Sequence, residues 1–305
     1  MSLNDKARVL VTGSGGFVGR HLVPHLAQRG YRVIAASRTP ARFENASVTG
    51  VALPDLSEPF DWRPLLQQCD AVVHLAGIAH RTVPDELHDR VNHLASAELA
   101  RAAVECGVQH LVLISSIAAQ SGVSSDRELT EDDPPQPVNA YGRSKLAAEA
   151  AIRAAGVPFT ILRPVVIYGD GEKGNFATLH KIARLPVPLP IGALTAQRSI
   201  LSIANFCSAI EMVLTNPRMR GETFIVSDPT PVTVPDLVAR YRIGLGRPPW
   251  LVPIPEKCLE LALKAVGQNA TWERLGCPLV ARPAKLIGMG WKPAEPSSAS
   301  PVEVV

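Results

Sequence analysis

The sequence has few of the features that build metal centres, disulfides or membrane spans. Its five cysteines are scattered over 305 residues and form no CxxC pair. We therefore expect reduced packing residues and no metal site. The longest apolar runs, such as Leu111–Ile114, are far shorter than the ~20 residues that a membrane-spanning helix needs. We expect no membrane partner.

The sequence also has no large excess of charge. Its 31 Lys and Arg residues against 28 Asp and Glu residues give a net charge of +3, without a basic cluster, so we expect no nucleic-acid partner. Because 46% of residues are hydrophobic and 19% charged, a disordered chain and a coiled coil are both excluded. The N-terminal residues Asn4, Asp5 and Lys6 do not resemble a secretory signal, so we expect a cytoplasmic protein.

Short β-branched or apolar runs alternate with stretches of helical composition. The runs predict buried parallel strands with helices on both faces, which is a doubly wound α/β fold of the Rossmann type. The predicted strands are Arg8–Thr12, Tyr31–Ala36, Ala71–Leu75, His110–Ser115 and Pro158–Leu162, and the predicted helices are Phe17–Arg29, Glu86–Cys106 and Tyr141–Ala155.

Prolines become frequent after Tyr168, and they break the pattern of long central strands. The sequence therefore predicts a dinucleotide-binding domain over residues 1–167 and a smaller substrate lobe over 168–305. The run Phe224–Ser227 reads as a strand that returns to the main sheet, so we expect the lobes to interleave near 198–228. The tail Glu295–Val305 is rich in Pro and Ser and is expected to be poorly ordered.

A glycine-rich loop lies between the first strand and the first helix. Its glycines permit a tight turn and a close approach to a pyrophosphate, and the helix start offers free N–H groups. The loop is thus predicted to bind a dinucleotide, although its glycine spacing is not the simple GxGxxG. The candidate residues are Gly13, Gly16, Phe17, Val18 and Gly19.

The turn after the second strand determines which dinucleotide is expected. Ser37 and Arg38 occupy the place where NAD-preferring enzymes carry an acid. A hydroxyl beside a guanidinium can bind a 2′-phosphate through charge-assisted hydrogen bonds. We expect NADP, with NAD as the second choice and a solvated arginine as the alternative. Asp55 and Leu56 lie where the third strand ends, near the expected adenine.

Tyr141 and Lys145 are separated by four positions at a predicted helix start, so they share one face. An ammonium near a phenol lowers the phenol pKa, which lets the tyrosine exchange protons with a substrate oxygen. Alone, such a pair is more often a solvated helix face. Ser115 and Ser116 at the end of the preceding strand strengthen the catalytic interpretation, because a hydroxyl there can bind the same oxygen.

Together these motifs resemble the extended short-chain dehydrogenase/reductase family, which includes nucleotide-sugar epimerases, dehydratases and 4-keto reductases, over nearly the whole chain. The resemblance implies that Lys145 also binds the nicotinamide ribose, and that Ser116 rather than Ser115 is catalytic. The segment Ala119–Gly122 departs from the family pattern, which leaves the serine open by one position. The further cofactor-binding positions implied are Leu75, Ala76, Gly77, Asn92, Tyr141 and Pro164.

Two segments of the second lobe resemble those that hold a nucleotide diphosphate in the family. They contain Asn175, within Lys173–Phe176, and Arg198, within Gln197–Leu201. The resemblance implies that Asn175 and Arg198 bind substrate, together with Ser116. An arginine is apt for phosphate because its donor fork is planar and its charge is permanent. An ion-paired arginine between the lobes is the alternative interpretation.

The expected function is reduction of a UDP-linked 4-keto-6-deoxy-N-acetylhexosamine for polysaccharide assembly, with a UDP-sugar 4-epimerase as the alternative. A dehydratase is disfavoured because Ile117 and Ala118 stand where the family's dehydratases carry Asp-Glu. A non-catalytic NADP-sensing regulator and a steroid- or flavonoid-type reductase are weaker alternatives. By resemblance, we also expect a homodimer formed through the helices Glu86–Cys106 and Tyr141–Ala155.

Overall fold

The structure is a computed structural model that describes residues 7–79, 83–171 and 175–294, without the side chains of 175–178. The predicted tail and the positions Lys173 and Gly174 of the substrate segment lie outside the described residues.

Eleven strands occur in the described residues. They are β1 (Arg8–Thr12), β2 (Arg32–Ser37), β3 (Val48–Ala52), β4 (Ala71–His74), β5 (His110–Ile114), β6 (Phe159–Pro164), β7 (Val166–Tyr168), β8 (Gln197–Arg198), β9 (Ile200–Ser202), β10 (Glu222–Val226) and β11 (Val232–Thr233). Seven of them form one parallel sheet in the order β10-β6-β5-β4-β1-β2-β3. This arrangement confirms the predicted doubly wound fold, and β10 provides the returning strand.

The helices connect these strands and flank the sheet. They are α1 (Phe17–Gln28), α2 (Arg63–Leu66), α3 (Asp85–His88), α4 (Ala95–Glu105), α5 (Ala140–Ala155), α6 (Asn175–Ala183), α7 (Ile203–Thr215), α8 (Val234–Gly244), α9 (Glu256–Ala265), α10 (Asn269–Gly276) and α11 (Ala284–Gly288). The predicted helix Glu86–Cys106 contains a π-helical segment, Asp89–Leu94, between α3 and α4.

Two apolar clusters cover the two faces of the large sheet. Leu22 of α1 and Phe206 of α7 belong to the first cluster, which lies against one face. Leu99 of α4 and Ile152 of α5 belong to the second cluster on the opposite face. Every residue of β4 and β5 is buried, as expected for central strands covered on both sides. The carboxyl ends of the parallel strands consequently share one edge, where ligands bind in such folds.

The second lobe has its own small core around Leu189, Val238 and Tyr241. Two short pairs of strands, β8 with β11 and β7 with β9, connect it to the sheet. Arg242 is buried at its centre and donates hydrogen bonds to backbone carbonyls, among them those of Ala183 and Pro249. A single buried guanidinium thus holds together segments that have no regular secondary structure.

Candidate active site

The glycine loop closes tightly against the neighbouring strand ends. Gly13 has a φ of 72°, and a Cβ at this position would lie 2.9 Å from the backbone nitrogen of Ala76. A Cβ at Gly19 would lie 2.5 Å from the Cα of Ser14. Glycine is required at both positions because a side chain would force the backbone apart. The loop therefore lies directly beside the predicted cofactor segment that follows β4.

The start of α1 suits an anion. The helix begins at Phe17 after Gly16, with no side-chain cap and no acidic residue in its first turn. The N–H groups of Phe17 and Val18 are among those that a helix start leaves without intrahelical partners. These groups and the partial positive charge of the helix end fit a pyrophosphate. The residues present thus fit the dinucleotide that the loop predicts.

The predicted adenosine end lies beside the same loop. A Cβ at Gly15 would lie 3.4 Å from the Cβ of Ser37, whose hydroxyl donates to the carbonyl of Thr39 at 2.8 Å. Arg38 is exposed. Asp55 is also exposed and accepts from a backbone N–H two residues later, whereas Leu56 is buried in the core. Of the four predicted residues, Arg38 and Asp55 thus have exposed side chains.

Asn92 shapes the loop after β4. Its amide oxygen accepts from Ile78 N at 2.8 Å, and its amide nitrogen donates to Ile78 O and to Ser144 Oγ, each at 3.0 Å. A Cβ at Gly77 would lie 2.7 Å from Asn92 Oδ1 and 3.4 Å from Lys145 Nζ. Both amide hydrogens of Asn92 are used within the protein, so it positions the loop. A direct contact between Asn92 and a cofactor stays a prediction.

The predicted catalytic residues meet at the carboxyl end of β5. Asn139 caps α5 by accepting from Gly142 N at 2.8 Å, which fixes the helix turn that carries Tyr141. The Tyr141 hydroxyl is hydrogen-bonded to the Ser116 hydroxyl, and Ser116 Oγ also accepts from Ala118 N at 3.1 Å.

Ser115 has a different environment. It is buried, and its hydroxyl donates to Glu149 Oε1 at 2.6 Å. The structure thus separates two serines that the sequence left open, because Ser116 bonds to the tyrosine whereas Ser115 bonds to Glu149.

The pKa of Tyr141 is shifted in the direction opposite to the one expected from the sequence. Burial raises the pKa of Tyr141, and its hydrogen bond to Ser116 acts in the opposite direction. Lys145 Nζ donates to Ile114 O at 2.9 Å. Burial lowers the pKa of Lys145 to about 8, and the nearby Glu149 carboxylate opposes that effect. The expected lowering of the tyrosine pKa by the lysine is not seen, because desolvation of the phenol dominates.

A buried ionic network lies next to the catalytic edge, which is the edge of the sheet that carries Ser116, Tyr141 and Lys145. Glu149 is fully buried, and Arg163 binds its carboxylate through two nitrogens at 2.9 and 2.7 Å. Arg163 also donates to Gln120 Oε1 at 2.9 Å, and Gln120 donates to the carbonyl of Thr130. The network therefore joins α5 and β6 to the loop that follows the serines. The sequence analysis did not identify it, since its members are far apart in the chain.

Two histidines near the site, His88 and His74, were not predicted as site residues from the sequence. The His88 ring lies 6.1 Å from the Tyr141 ring, centroid to centroid, and its buried Nδ1 has no hydrogen-bond partner among the described residues. His74 Nδ1 pairs with Thr12 Oγ1 at 2.8 Å, and burial, aided by Lys145, lowers the His74 pKa to about 3. His74 is consequently neutral and structural. The sequence indicated only that His88 lies in the predicted helix Glu86–Cys106.

The remaining predicted residues lie at or beyond the end of β6. Pro164 is buried as the last residue of that strand. Asn175 is the first residue of α6, and its side chain lies outside the described part of the structure.

Arg198 makes contacts that the sequence did not indicate. Its Nη1 donates to Cys277 O at 2.6 Å and its Nη2 to Val123 O at 2.9 Å. Burial lowers its pKa. These bonds tie the second lobe to the loop after the serines, so Arg198 has a structural role. Whether it also binds a diphosphate stays a prediction.

A family model for the NAD-dependent epimerase/dehydratase family matches residues 9–227. The chain belongs to this family. A UDP-glucose 4-epimerase of Vibrio cholerae is 32% identical over 300 residues, covering 94% of this chain and 91% of its own. An N-acetyl-α-D-glucosaminyl-diphospho-ditrans,octacis-undecaprenol 4-epimerase of Escherichia coli O157:H7 is 27% identical, covering 88% and 82%.

Solved structures share the fold of this family member. MoeE5 in complex with UDP-glucose and NAD has a TM-score of 0.75 at 24% identity, with 96% of each chain covered. The Bordetella bronchiseptica enzyme WbmG in complex with NAD and UDP has a TM-score of 0.74 at 19% identity, covering 97% of this chain and 93% of its own. These likenesses confirm the predicted fold. The described helices include none that is long and apolar enough to cross a membrane.

Proposed function

We propose that the protein is a UDP-sugar 4-epimerase that uses NAD. The observation that carries the proposal is the hydrogen-bonded pair of Tyr141 and Ser116 beside Lys145, at the sheet edge that also holds the glycine loop. This arrangement suits removal of the hydrogens of a carbinol. The extent of similarity to the Vibrio cholerae UDP-glucose 4-epimerase supports an epimerase rather than the reductase expected from the sequence.

Residues of the first lobe would hold the cofactor in three groups. The pyrophosphate would be held by Gly13, Gly16, Phe17, Val18 and Gly19, and the adenosine end by Ser37, Arg38, Asp55 and Leu56. The nicotinamide end would be held by Leu75, Ala76, Gly77, Asn92, Tyr141, Lys145 and Pro164. When bound, the nicotinamide supplies a hydride acceptor and donor at a sugar carbon.

Tyr141 handles the proton in this proposal. Its oxygen takes the proton of the sugar 4-hydroxyl as that carbon is oxidised, and returns it when the carbon is reduced from the opposite face. Ser116 holds the same sugar oxygen through its hydroxyl. Because burial raises the pKa of Tyr141, the tyrosine needs help to lose its proton before oxidation. Lys145 is mostly cationic at neutral pH with a pKa of about 8. Its charge does not lower the pKa of Tyr141 in the protein alone, so in this proposal it acts only once cofactor and substrate are bound.

A 4-keto reductase that uses NADP is the second candidate. Arg38 favours it, because an exposed guanidinium at the ribose end suits a 2′-phosphate. A reductase must exchange its cofactor in every cycle, whereas an epimerase recovers the original oxidation state and needs no exchange. The NAD in the two structural relatives supports our choice of NAD.

The substrate nucleotide is proposed as UDP. Asn175 and Arg198 remain the candidate ligands of the diphosphate. Nη1 of Arg198 donates to the carbonyls of Glu273 and Cys277, and Nη2 donates to that of Val123. A diphosphate would therefore contact Nε or the second hydrogen of Nη2 without breaking these bonds.

The deciding experiment follows a panel of UDP-hexoses by proton NMR. UDP-glucose and UDP-N-acetylglucosamine are each incubated with the protein and NAD, and inversion at C4 is measured while absorbance at the nicotinamide band is recorded. The proposal predicts interconversion without net formation of reduced cofactor. Stoichiometric NADPH consumption with a UDP-4-keto-sugar, without epimerisation, would instead support the reductase. Cofactor binding without turnover of any sugar would favour a sensor.

A further inference from the structure

The second lobe exposes an apolar patch that the proposed reaction does not use. It consists of Leu185, Val187, Ile243, Trp250 and Val252, all exposed. Trp250 is 53% exposed and Ile243 is 62% exposed. Single exposed apolar residues are ordinary, but a contiguous group of this kind marks an interaction surface.

The buried Arg242 joins the segments that carry the patch residues. Its Nη2 donates to Leu185 O at 3.1 Å and to Val187 O at 2.8 Å, and its Nη1 donates to Trp250 O at 3.3 Å. The neighbouring backbone pairs the same segments, because Val252 N donates to the carbonyl of Leu189 at 2.8 Å. Since Ile243 directly follows Arg242 in α8, the backbone segments that carry the five residues meet near one guanidinium.

The backbone holds Trp250 in an unfavourable conformation. Its φ is 46°, and it is the one non-glycine residue with a positive φ in the described ranges. This region costs free energy for an L-residue with a bulky side chain. Leu189 N donates to its carbonyl at 2.9 Å and helps to fix it there. The indole is exposed, although a buried position would be favourable by itself.

Basic residues predominate around the patch. The sequence contains no acidic residue between Lys173 and Ile210, nor between Leu237 and Pro255. The exposed cations in the described part of these segments are Lys181, Arg184, Arg240 and Arg247. Positive residues around exposed aliphatic and indole groups fit an anionic lipid surface.

The acids that flank the second segment are engaged in the protein. Asp236 accepts from Thr233 in the cap of α8, and Glu256 accepts from Thr195 N at 2.9 Å. These partners are uncharged and do not neutralise the two acids. The positive character of the patch rests on the number of its cations, which are four against these two acids.

We propose that this patch docks the second lobe on an anionic phospholipid bilayer. Trp250 and the aliphatic side chains enter the interface, while Lys181, Arg184 and their neighbours contact the lipid headgroups. The sequence prediction of no membrane partner rested on the lack of a spanning segment, and lying on a surface requires no such segment. The inference does not depend on the proposed reaction.

Vesicle binding tests the proposal directly. The full chain is mixed with large unilamellar vesicles of phosphatidylcholine and phosphatidylglycerol in equal amounts, or of phosphatidylcholine alone, and bound protein is measured by sedimentation. We expect binding to the anionic vesicles and a decrease when salt is raised. Trp62, Trp272 and Trp291 are buried, so a blue shift of tryptophan fluorescence would report mainly Trp250.

Matched variants separate the patch from non-specific adsorption. Trp250→Asn keeps a residue that tolerates positive φ and is expected to weaken binding about ten-fold, from the lost apolar burial. Lys181→Glu with Arg184→Glu should also weaken it by ten-fold or more. Ile287→Asn and Arg218→Glu change exposed residues of α11 and of the segment before β10, a strand of the large sheet, and should leave binding unchanged.

Several results would overturn the proposal. Equal binding to neutral and anionic vesicles would remove the role of the cations. Absence of binding to both would contradict docking altogether, as would loss of binding in the control variants to the same degree as in the patch variants. A self-association that Trp250→Asn abolishes, measured by light scattering without lipid, together with no vesicle binding, would assign the patch to a second copy of the chain.

Discussion

Buried arginines have different partners in the two lobes. The difference shows in which lobe a sequence motif predicts the role of a residue more reliably. In the first lobe, Arg163 binds the fully buried Glu149 and belongs to the support of the catalytic edge. In the second lobe, Arg198 and Arg242 bind backbone carbonyls and replace regular secondary structure. A guanidinium that holds loops together has fewer N–H groups left for a ligand. Motif resemblance thus transfers more safely to the catalytic edge than to the second lobe.

The largest expected effect is that of Tyr141→Phe. The change removes only the hydroxyl that contacts Ser116, so the fold and cofactor affinity should persist. Positioned acid–base catalysis contributes about 10²–10⁴-fold, and turnover should fall by that factor. Circular dichroism and cofactor titration provide the controls for steady-state assays. Wild-type turnover, under conditions where chemistry limits the rate, would contradict the role of Tyr141.

Glu149→Gln tests the ionic support of the same edge. It leaves Arg163 buried without its charged partner, which costs about 3–5 kcal/mol in comparable cases, and denaturant unfolding measures the loss. Because the Glu149 carboxylate raises the pKa of Lys145, its removal should lower that pKa below about 8. The alkaline limb of the pH–rate profile should then move to lower pH. An unchanged limb with normal folding would show that the carboxylate does not act on Lys145.

Much of the first lobe could be predicted because its signals are local. The strand, the glycine turn and the helix that form the cofactor loop are consecutive, and Tyr141 and Lys145 lie on one helix. The choice between Ser115 and Ser116 could not be made from the sequence, because it depends on Glu149, 34 residues after Ser115. The carbonyl contacts of Arg198 involve residues 75 and 79 positions away, which no local pattern reveals.

Variants of Ser115 and Ser116 test whether the two neighbouring serines have different roles, one structural and one catalytic. Ser116→Ala removes the partner of Tyr141 and should reduce turnover by about 10-fold or more with little change in stability. Ser115→Ala leaves that partner in place and removes a bond to a buried carboxylate, so it should cost about 1–3 kcal/mol of stability with a smaller effect on turnover. Thermal unfolding and steady-state kinetics on both variants provide the comparison. The reversed pattern would assign catalysis to Ser115.

Arg198→Ala examines the second lobe. Loss of the carbonyl bonds should reduce the free energy of unfolding by about 1–3 kcal/mol. If Arg198 also contacts the diphosphate, UDP affinity should fall by about ten-fold while cofactor affinity stays nearly the same. Calorimetric titration with UDP and with NAD separates the two. Reduced stability with unchanged UDP affinity would leave Arg198 a purely structural role.

The smallest expected effect concerns Arg38. If the cofactor is NAD, Arg38→Ser should change its affinity by no more than about three-fold, because an exposed side chain without a phosphate partner contributes little. If NADP is used, the same variant should weaken NADPH binding by about one to two decades. Fluorescence titration with both cofactors distinguishes these outcomes. A wild-type preference for NADPH would reverse our choice of NAD.

The fate of the hydrogen at C4 tests the central claim most directly. UDP-hexoses carrying deuterium at C4 are incubated with the protein and NAD in ordinary water, and product label is measured by mass spectrometry and NMR. If the catalytic edge removes and returns the same hydride, the C4 epimer should keep its deuterium, and Tyr141→Phe should slow its appearance. Exchange of the label with solvent during inversion would contradict the account.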